Sequence, residues 1–264
     1  MGDRRGEKDA LGNLATVYLR IGRMPEAAES FRKYLKIARL LGDKFAECAA
    51  LGGLTIVLIY LEEYREALKT ARSHLRAARA IKNPDNQLVA LKNQGAIFEG
   101  LEDWRRGIRV FQQLVVLSQT QKWEKQEVRA LTLLGLFYSK KSDVERSERH
   151  FKQALDISAK LKDIKDQASI WATYATALEG FEEFEKAQTA YTRALRLYRR
   201  LDDREMEGIG LYRLSVLQGN HQIRRQALKN AARAKRVFES IDSPHSETAH
   251  EWLAELEALA DHKD

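Results

Sequence analysis

Few residues of this 264-residue chain have the types and spacing that catalysis or metal binding requires. There is no GxxxxGK(S/T) loop, no GxGxxG, no CxxC pair, no HExxH and no GxSxG. His245 and His250 are five positions apart, which is poor spacing for two ligands on one helix face. We expect Cys48 and His74 to be packed side chains. The sequence therefore predicts no enzyme, no metal site and no cofactor.

The clearest charge pattern is a basic ridge near the C-terminus, formed by Arg225, Lys229, Arg233 and Arg236. Steps of four and three residues place these cations on one side of a helix. The basic ridge could bind an acidic protein, a phosphate backbone or anionic lipid, or it could be a solvated face. A net charge of +7 is small for a dedicated nucleic-acid binder, and no aromatic ladder interleaves the ridge.

The composition is typical of a helical globular protein. Only 15 glycines and three prolines are present, so long loops and many tight turns are scarce. With 44% hydrophobic and 31% charged residues, the chain is too apolar for disorder and too evenly charged for a membrane protein. No apolar run is long enough to span a bilayer, and no secretory signal is recognisable. Since Cys48 is the one cysteine, we predict a protein of the reducing cytoplasm.

The chain repeats itself every 40 residues through six units. The repeat is clearest in two columns of small residues. They are Ala15, Thr55, Gly95, Gly135, Ala175 and Ser215, and Ala27, Ala67, Gly107, Ser147, Ala187 and Ala227. Small side chains let two helices approach closely, so we expect the columns to lie at helix contacts.

Each unit is predicted to contain two helices, because apolar residues such as Leu11, Leu14 and Tyr18 recur at helical spacing. Short breaks separate the two helices at Gly22, Glu62, Glu102, Ser142, Glu182 and Gln222. Longer breaks are expected to close the units, for example at Gly42-Asp43 and at Asn83-Pro84-Asp85, where residues favour turns and helix caps.

These residues resemble the tetratricopeptide repeat pattern W-x2-L-G-x2-Y, followed by A-x3-F and a small residue. The fourth and fifth units carry it as Leu131, Leu134, Gly135, Tyr138, Ser147, Phe151 and Ala154, and as Trp171, Tyr174, Ala175, Leu178, Ala187, Tyr191 and Ala194. The 40-residue period is similar to that of Leu-Gly-Asn-repeat polarity scaffolds and kinesin light chains. Their Asn after Leu-Gly is missing here, which argues against a groove built on an asparagine ladder.

The resemblance implies an all-α, right-handed superhelical solenoid of antiparallel helix pairs. Residues 1–243 divide into six units of about 4–43, 44–83, 84–123, 124–163, 164–203 and 204–243, and residues 244–264 form a C-terminal capping helix. The cap is expected because Glu255 occupies the next small-residue position, where a charge forbids another packed pair. The start has no matching cap. Because Gly2-Asp3 matches Gly42-Asp43, we expect either a segment of a longer array or a first helix that docks elsewhere.

In the resembling family the first helices line a concave groove, so the same positions are candidate peptide-binding residues here. These are Asn13, Arg20, Tyr60, Lys92, Asn93, Arg129, Leu133, Leu136, Lys140, Tyr212 and Arg213. The cations among them could pair with carboxylates of a peptide, and the apolar residues could hold its anchors. The clamp that binds chaperone tails is not expected, because Ala96 and Leu133 replace two of its residues.

The sequence thus predicts a non-catalytic adaptor that binds a peptide segment of another protein, with acidic and apolar residues, in a concave groove. Two alternatives remain open. One is binding of nucleic acid or another polyanion through basic second-helix faces. The other is a structural role in a larger complex, with the end faces of the array making the contacts.

Overall fold

The computed structural model describes residues 3–261, which are almost entirely helical. Within that range there are thirteen α-helices and no strand: α1 (Arg4–Arg20), α2 (Met24–Leu40), α3 (Lys44–Tyr60), α4 (Tyr64–Ala80), α5 (Pro84–Gly100), α6 (Trp104–Thr120), α7 (Glu124–Ser139), α8 (Val144–Lys160), α9 (Ile164–Gly180), α10 (Phe184–Arg200), α11 (Arg204–Asn220), α12 (Arg224–Glu239) and α13 (Ser246–Asp261). The predicted all-α array of helix pairs is confirmed.

The helices belong to two compact units, Met1–Trp123 with α1 to α6 and Glu124–Asp264 with α7 to α13. The finer division into six repeats and a capping helix stays a prediction. Gly2, which suggested a cut at a unit boundary, lies outside the described residues.

The helices end in a common way, which sets their regular spacing. At the end of α3 the Glu62 N–H donates to the Ile59 carbonyl, and the Glu63 N–H donates to the Leu58 carbonyl, at 3.0 and 2.9 Å. This pair of hydrogen bonds terminates a helix when the first residue after the helix end region takes a left-handed backbone conformation. Glu62 does so, with a φ of 57°. A residue with positive φ recurs at every twentieth position from Gly22 to Asp242. All six short breaks predicted from the sequence fall on such residues.

The expectation of longer breaks at Gly42-Asp43 and at Asn83-Pro84-Asp85 is wrong, whereas the expected longer break at Asp242-Ser243-Pro244 lies in a six-residue link between α12 and α13. The links after α2 and after α3 both have three residues. Asp and Asn cap the next helix and do not lengthen the loop. Asp43 Oδ1 accepts a hydrogen bond from the Ala46 N–H, and Asn83 Oδ1 accepts one from the Asn86 N–H, both at 2.9 Å. Pro84 is the first residue of α5, where its missing N–H costs no hydrogen bond.

Within each unit, consecutive helices pack on one another. In the first unit α1 also contacts α3, and α3 contacts α5, so the first helices of successive pairs form one layer. Each of α2 and α4 packs against the two first helices beside it. In the second unit α7 contacts α9 in the same way. The first helices therefore present a surface that the second helices do not cover.

The two small-residue columns lie at helix contacts, as predicted, and all twelve residues are buried. Ser147 Oγ of α8 donates a hydrogen bond to the Gly135 carbonyl of α7 at 2.8 Å, so the columns touch each other. A Cβ atom added at Gly135 would lie 2.8 Å from the ring of Phe151, which is fully buried. The column is small because aromatic rings from the partner helix occupy the space above it.

The last helix, α13, packs on α12. Trp252 and Leu256 contact Ala227 and Ala231 of α12. The indole N–H of Trp252 donates to Ser215 Oγ of α11 at 2.8 Å. The outer side of α13 is exposed at Glu255, so one side of this helix is apolar and packed and the other is polar.

Candidate interaction surfaces

The first unit carries five of the predicted groove residues on its first helices. Asn13 and Arg20 of α1, Tyr60 of α3 and Lys92 of α5 are exposed, and 67% of Tyr60 is accessible. Asn93 of α5 is half-buried, and its Nδ2 atom has no hydrogen-bond partner among the described residues. These helices are neighbours, so the unit offers cations, amides and one aromatic ring along adjacent helices.

In the second unit, four predicted residues form what we call the α7 face: Arg129, Leu133, Leu136 and Lys140. Steps of four and three residues place the first three on one side of α7, and Lys140 follows four residues later, just after the helix ends. The two leucines are half-buried and lie between two exposed cations. Arg129 Nε lies 3.9 Å from Oδ1 of Asp166 in α9. In the described part of the chain no carboxylate lies within ion-pair distance of Lys140, so this cation is free to pair with a ligand.

Two more predicted residues, Tyr212 and Arg213, lie on α11 of the same unit. Tyr212 is half-buried and Arg213 is exposed. Burial raises the pKa of Glu179 on α9, although a hydrogen bond with Tyr191 and the charge of Arg213 oppose that shift. The charge of Arg213 on α11 therefore acts on Glu179 of α9.

The basic ridge lies on α12. Arg225, Lys229 and Arg236 are exposed, whereas Arg233 is half-buried. Arg236 Nε donates a hydrogen bond to the Ala232 carbonyl at 3.2 Å. Among residues 3–261 no carboxylate lies within ion-pair distance of these four cations, and a ligand for the ridge stays a prediction.

A second basic surface lies on α4 and was not predicted. We call it the α4 row, and its members are Arg65, Lys69, Arg72, Arg76 and Arg79. All five are exposed. Their steps of four, three, four and three residues can be read from the sequence, as can the fact that Glu66 is the single acidic residue of the helix. That combination is the signal that could have identified the row.

The candidate reactive side chains of α3 and α4 are buried. Cys48 is 1% exposed, and burial raises the pKa of its thiol, which disfavours the nucleophilic thiolate. His74 is also 1% exposed, with Nε2 3.4 Å from Asn86 Oδ1. Its Nδ1 atom has no hydrogen-bond partner among the described residues, so His74 is packed as expected but only one of its two ring nitrogens is hydrogen-bonded.

His74 is expected to make stability depend on pH. Burial lowers its pKa from the ordinary 6.5, so the unfolded chain binds the proton more readily than the folded chain. The resulting stability is complete above about pH 6.5 and is lost as the pH falls through the lowered pKa. Urea unfolding from pH 7.5 to 5 should show this slope, and His74→Leu should flatten it. An unchanged slope in the variant would assign the pH dependence to other groups.

Among the described residues, no group of three or more His, Cys, Asp or Glu side chains is arranged to hold a metal ion. His250 is exposed, and His245 Nε2 lies 3.6 Å from Glu205 Oε1. Within the same residues no helix has the length and apolar character needed to cross a membrane.

Comparison with known families gives one match, to the tetratricopeptide repeat, over residues 8–80 and 126–200. Together the two segments cover more than half of the chain. No curated protein matches the chain at a significant level.

Several solved structures share the fold. A STAND-type signal transduction ATPase with a tetratricopeptide repeat sensor, from Pyrococcus horikoshii, superposes with a TM-score of 0.75 at 15% identity over 96% of this chain, which spans 39% of that protein. The apo form of RapI gives 0.70 at 11% identity, with 94% and 95% of the two chains covered. Repeats of a putative kinesin light chain from Podosopora anserina give 0.63 at 14% identity, covering 73% of this chain and 95% of that one. At these identities the likeness shows the fold alone.

Proposed function

Because the chain belongs to the tetratricopeptide repeat family, we propose that it is a non-catalytic scaffold that holds a segment of a partner protein against its first helices. Family membership supports a protein-interaction scaffold in general terms. The site, the kind of segment and the residues that hold it are the proposal.

The α7 face carries this proposal. Its half-buried Leu133 and Leu136 offer an apolar strip, and the exposed Arg129 and Lys140 stand at its two ends. The ends are eleven residues apart, which is about 16 Å along a helix. An extended peptide covers that distance in about five residues. The segment that fits therefore has an apolar side chain between two carboxylates that lie four or five positions apart.

The first helices of the first unit could hold a further part of the partner segment through ionic, apolar and amide contacts. Arg20 and Lys92 could pair with further carboxylates, and the exposed ring of Tyr60 could pack on an apolar side chain. The amides of Asn13 and Asn93 could bond the backbone of an extended chain, which has donors and acceptors free on both edges.

Helical packing makes these faces rigid before binding. The backbone of α7 is fixed by α8 and α9, so little conformational entropy is lost by the receptor when a segment docks. A few central contacts then dominate the affinity, and reversing the two end charges of the α7 face should weaken binding by at least tenfold.

The test begins with a photo-reactive amino acid in place of Leu136, which cross-links whatever occupies the α7 face, and mass spectrometry then identifies the partner. The full chain carrying Arg129→Glu and Lys140→Glu should lose that partner, and Lys92→Glu should weaken capture through the first unit. The matched control, Arg149→Glu with Lys152→Glu on α8, changes the charge equally and should bind normally. If the α7 variant keeps its helical content and binds the same partner with unchanged affinity, the proposal is wrong.

A further inference from the structure

We propose that the α4 row is a second docking site, which binds an acidic α-helical segment of a partner protein. The site lies on a second helix of the first unit, apart from the first-helix residues to which the proposed function assigns the peptide. A negative result for the α4 row would therefore not affect the proposal for the α7 face.

The α4 row is a straight line of uncompensated charge. From Arg65 to Arg79 it runs fourteen residues, or about 21 Å along the helix. In the described part of the chain no carboxylate lies within ion-pair distance of any member. The contacts that two of them make are neutral: Arg76 donates to Ser73 Oγ and Arg79 to the Gln113 side chain, both at 3.2 Å. The charges are therefore available to a ligand.

The row is not a general property of the second helices. At the corresponding positions of α6, 40 residues later, the side chains are Arg105, Arg109, Gln112, Val116 and Gln119. In α8 they are Glu145, Arg149, Lys152, Asp156 and Ala159, and there Arg149 pairs with Glu145 at 2.7 Å. A solvated helix face is usually mixed in sign, as α8 is. Five cations in five positions repel one another and call for an external anion.

The row borders a groove of about 570 Å³, whose floor is formed by Leu68, Leu75 and Gln94. A second groove of about 560 Å³ shares Arg79 with the first and is lined by Leu91 and Leu117, among others. At its edge Val116 of α6 is 62% exposed. The surface is therefore strongly basic along α4 and partly apolar beyond Arg79.

Charge and spacing together favour an acidic helix as the occupant. Carboxylates at positions i, i+4, i+7 and i+11 of a helix lie on one face and match the spacing of the first four cations of the row, from Arg65 to Arg76. Four of the five cations are arginines, whose planar groups bind carboxylates with two hydrogen bonds. An apolar residue at the end of that helix would contact Val116. Nucleic acid fits less well, because no aromatic side chain lines either groove for bases to stack on.

A fluorescein-labelled synthetic peptide tests the site directly, with the full chain as receptor. It is an alanine-based helix with Glu at i, i+4, i+7 and i+11 and Leu beyond the last Glu. The comparison peptide has the same composition in scrambled order. We expect anisotropy titrations at low salt to show saturable binding of the patterned peptide, at least fivefold tighter than the scrambled one.

Variants of the receptor then test whether the peptide binds at the α4 row. Arg72→Gln with Arg76→Gln should raise the Kd at least tenfold, whereas Arg149→Gln with Lys152→Gln on α8 should change it less than twofold. Val116→Asp should weaken binding about fivefold, and Val144→Asp, at another exposed valine, should not. Equal affinity for the scrambled peptide, tighter binding of a single-stranded DNA of the same charge, or no effect of the α4 variant would each overturn the proposal.

Discussion

Gly135→Leu is expected to cost the protein about 3 kcal/mol or more of its free energy of unfolding, the upper end of what overpacking a core costs. A Cβ at this position already lies 2.8 Å from the Phe151 ring, and a leucine adds three more carbon atoms. Phe151 is fully buried, so its ring has no solvent to move into. The helices α7 and α8 would have to separate, which breaks the hydrogen bond from Ser147 to the Gly135 carbonyl. Urea unfolding followed by circular dichroism measures the loss.

Gly180→Leu is the matched control. Gly180 is also helical, but it is exposed and no atom lies within 4 Å of an added Cβ. Because glycine is a poor helix former, the substitution should leave stability unchanged or raise it by up to about 1 kcal/mol. Equal losses in the two variants would mean that glycine itself, and not the close approach of α7 and α8, determines the effect at Gly135.

The sequence predicted this contact because small residues recur at a fixed period where two helices must pack closely in every repeat. Gly135 and Ser147 belong to columns in which all six 40-residue repeats have a small residue, and every member of these columns is buried in the structure. Helix ends were equally predictable, since the residue at each short break, such as Glu62, recurs at the position that must turn left-handed. A buried contact between two helices allows few residue types, so it leaves a periodic pattern that can be recognised in the sequence.

The candidate binding surfaces were less predictable from the sequence, because exposed positions tolerate many residue types. The sequence shows the spacing of the α4 row and the single acidic residue of its helix, but the structure was needed to show that no carboxylate of a neighbouring helix among the described residues pairs with the row. The α7 face was predicted from the resemblance to a family, and its free Lys140 and half-buried leucines were not. The division into two units has no signal in the sequence either, since the period runs unbroken through Trp123 and Glu124.

Trp252→Ala is expected to release α13 from α12 while leaving the first unit intact. Trp252 donates its indole N–H to Ser215 of the small column, and its ring reaches to 2.9 Å from a Cβ placed at Gly219. Removing a packed tryptophan costs about 3 kcal/mol, which corresponds to roughly 100-fold faster opening. Hydrogen exchange should therefore accelerate about 100-fold in α13, with a smaller increase in α12.

Leu259→Ala, at a side chain that is 47% exposed on the same helix, should change exchange by less than threefold. The helices α1 to α6 should exchange at the same rate in every variant, which provides an internal reference. The expected effect on α12 follows from the predicted capping role of α13, which covers Ala227 and Ala231 that would otherwise face water. If α12 keeps its full protection while α13 exchanges freely, α13 is an appendage and α12 itself ends the core.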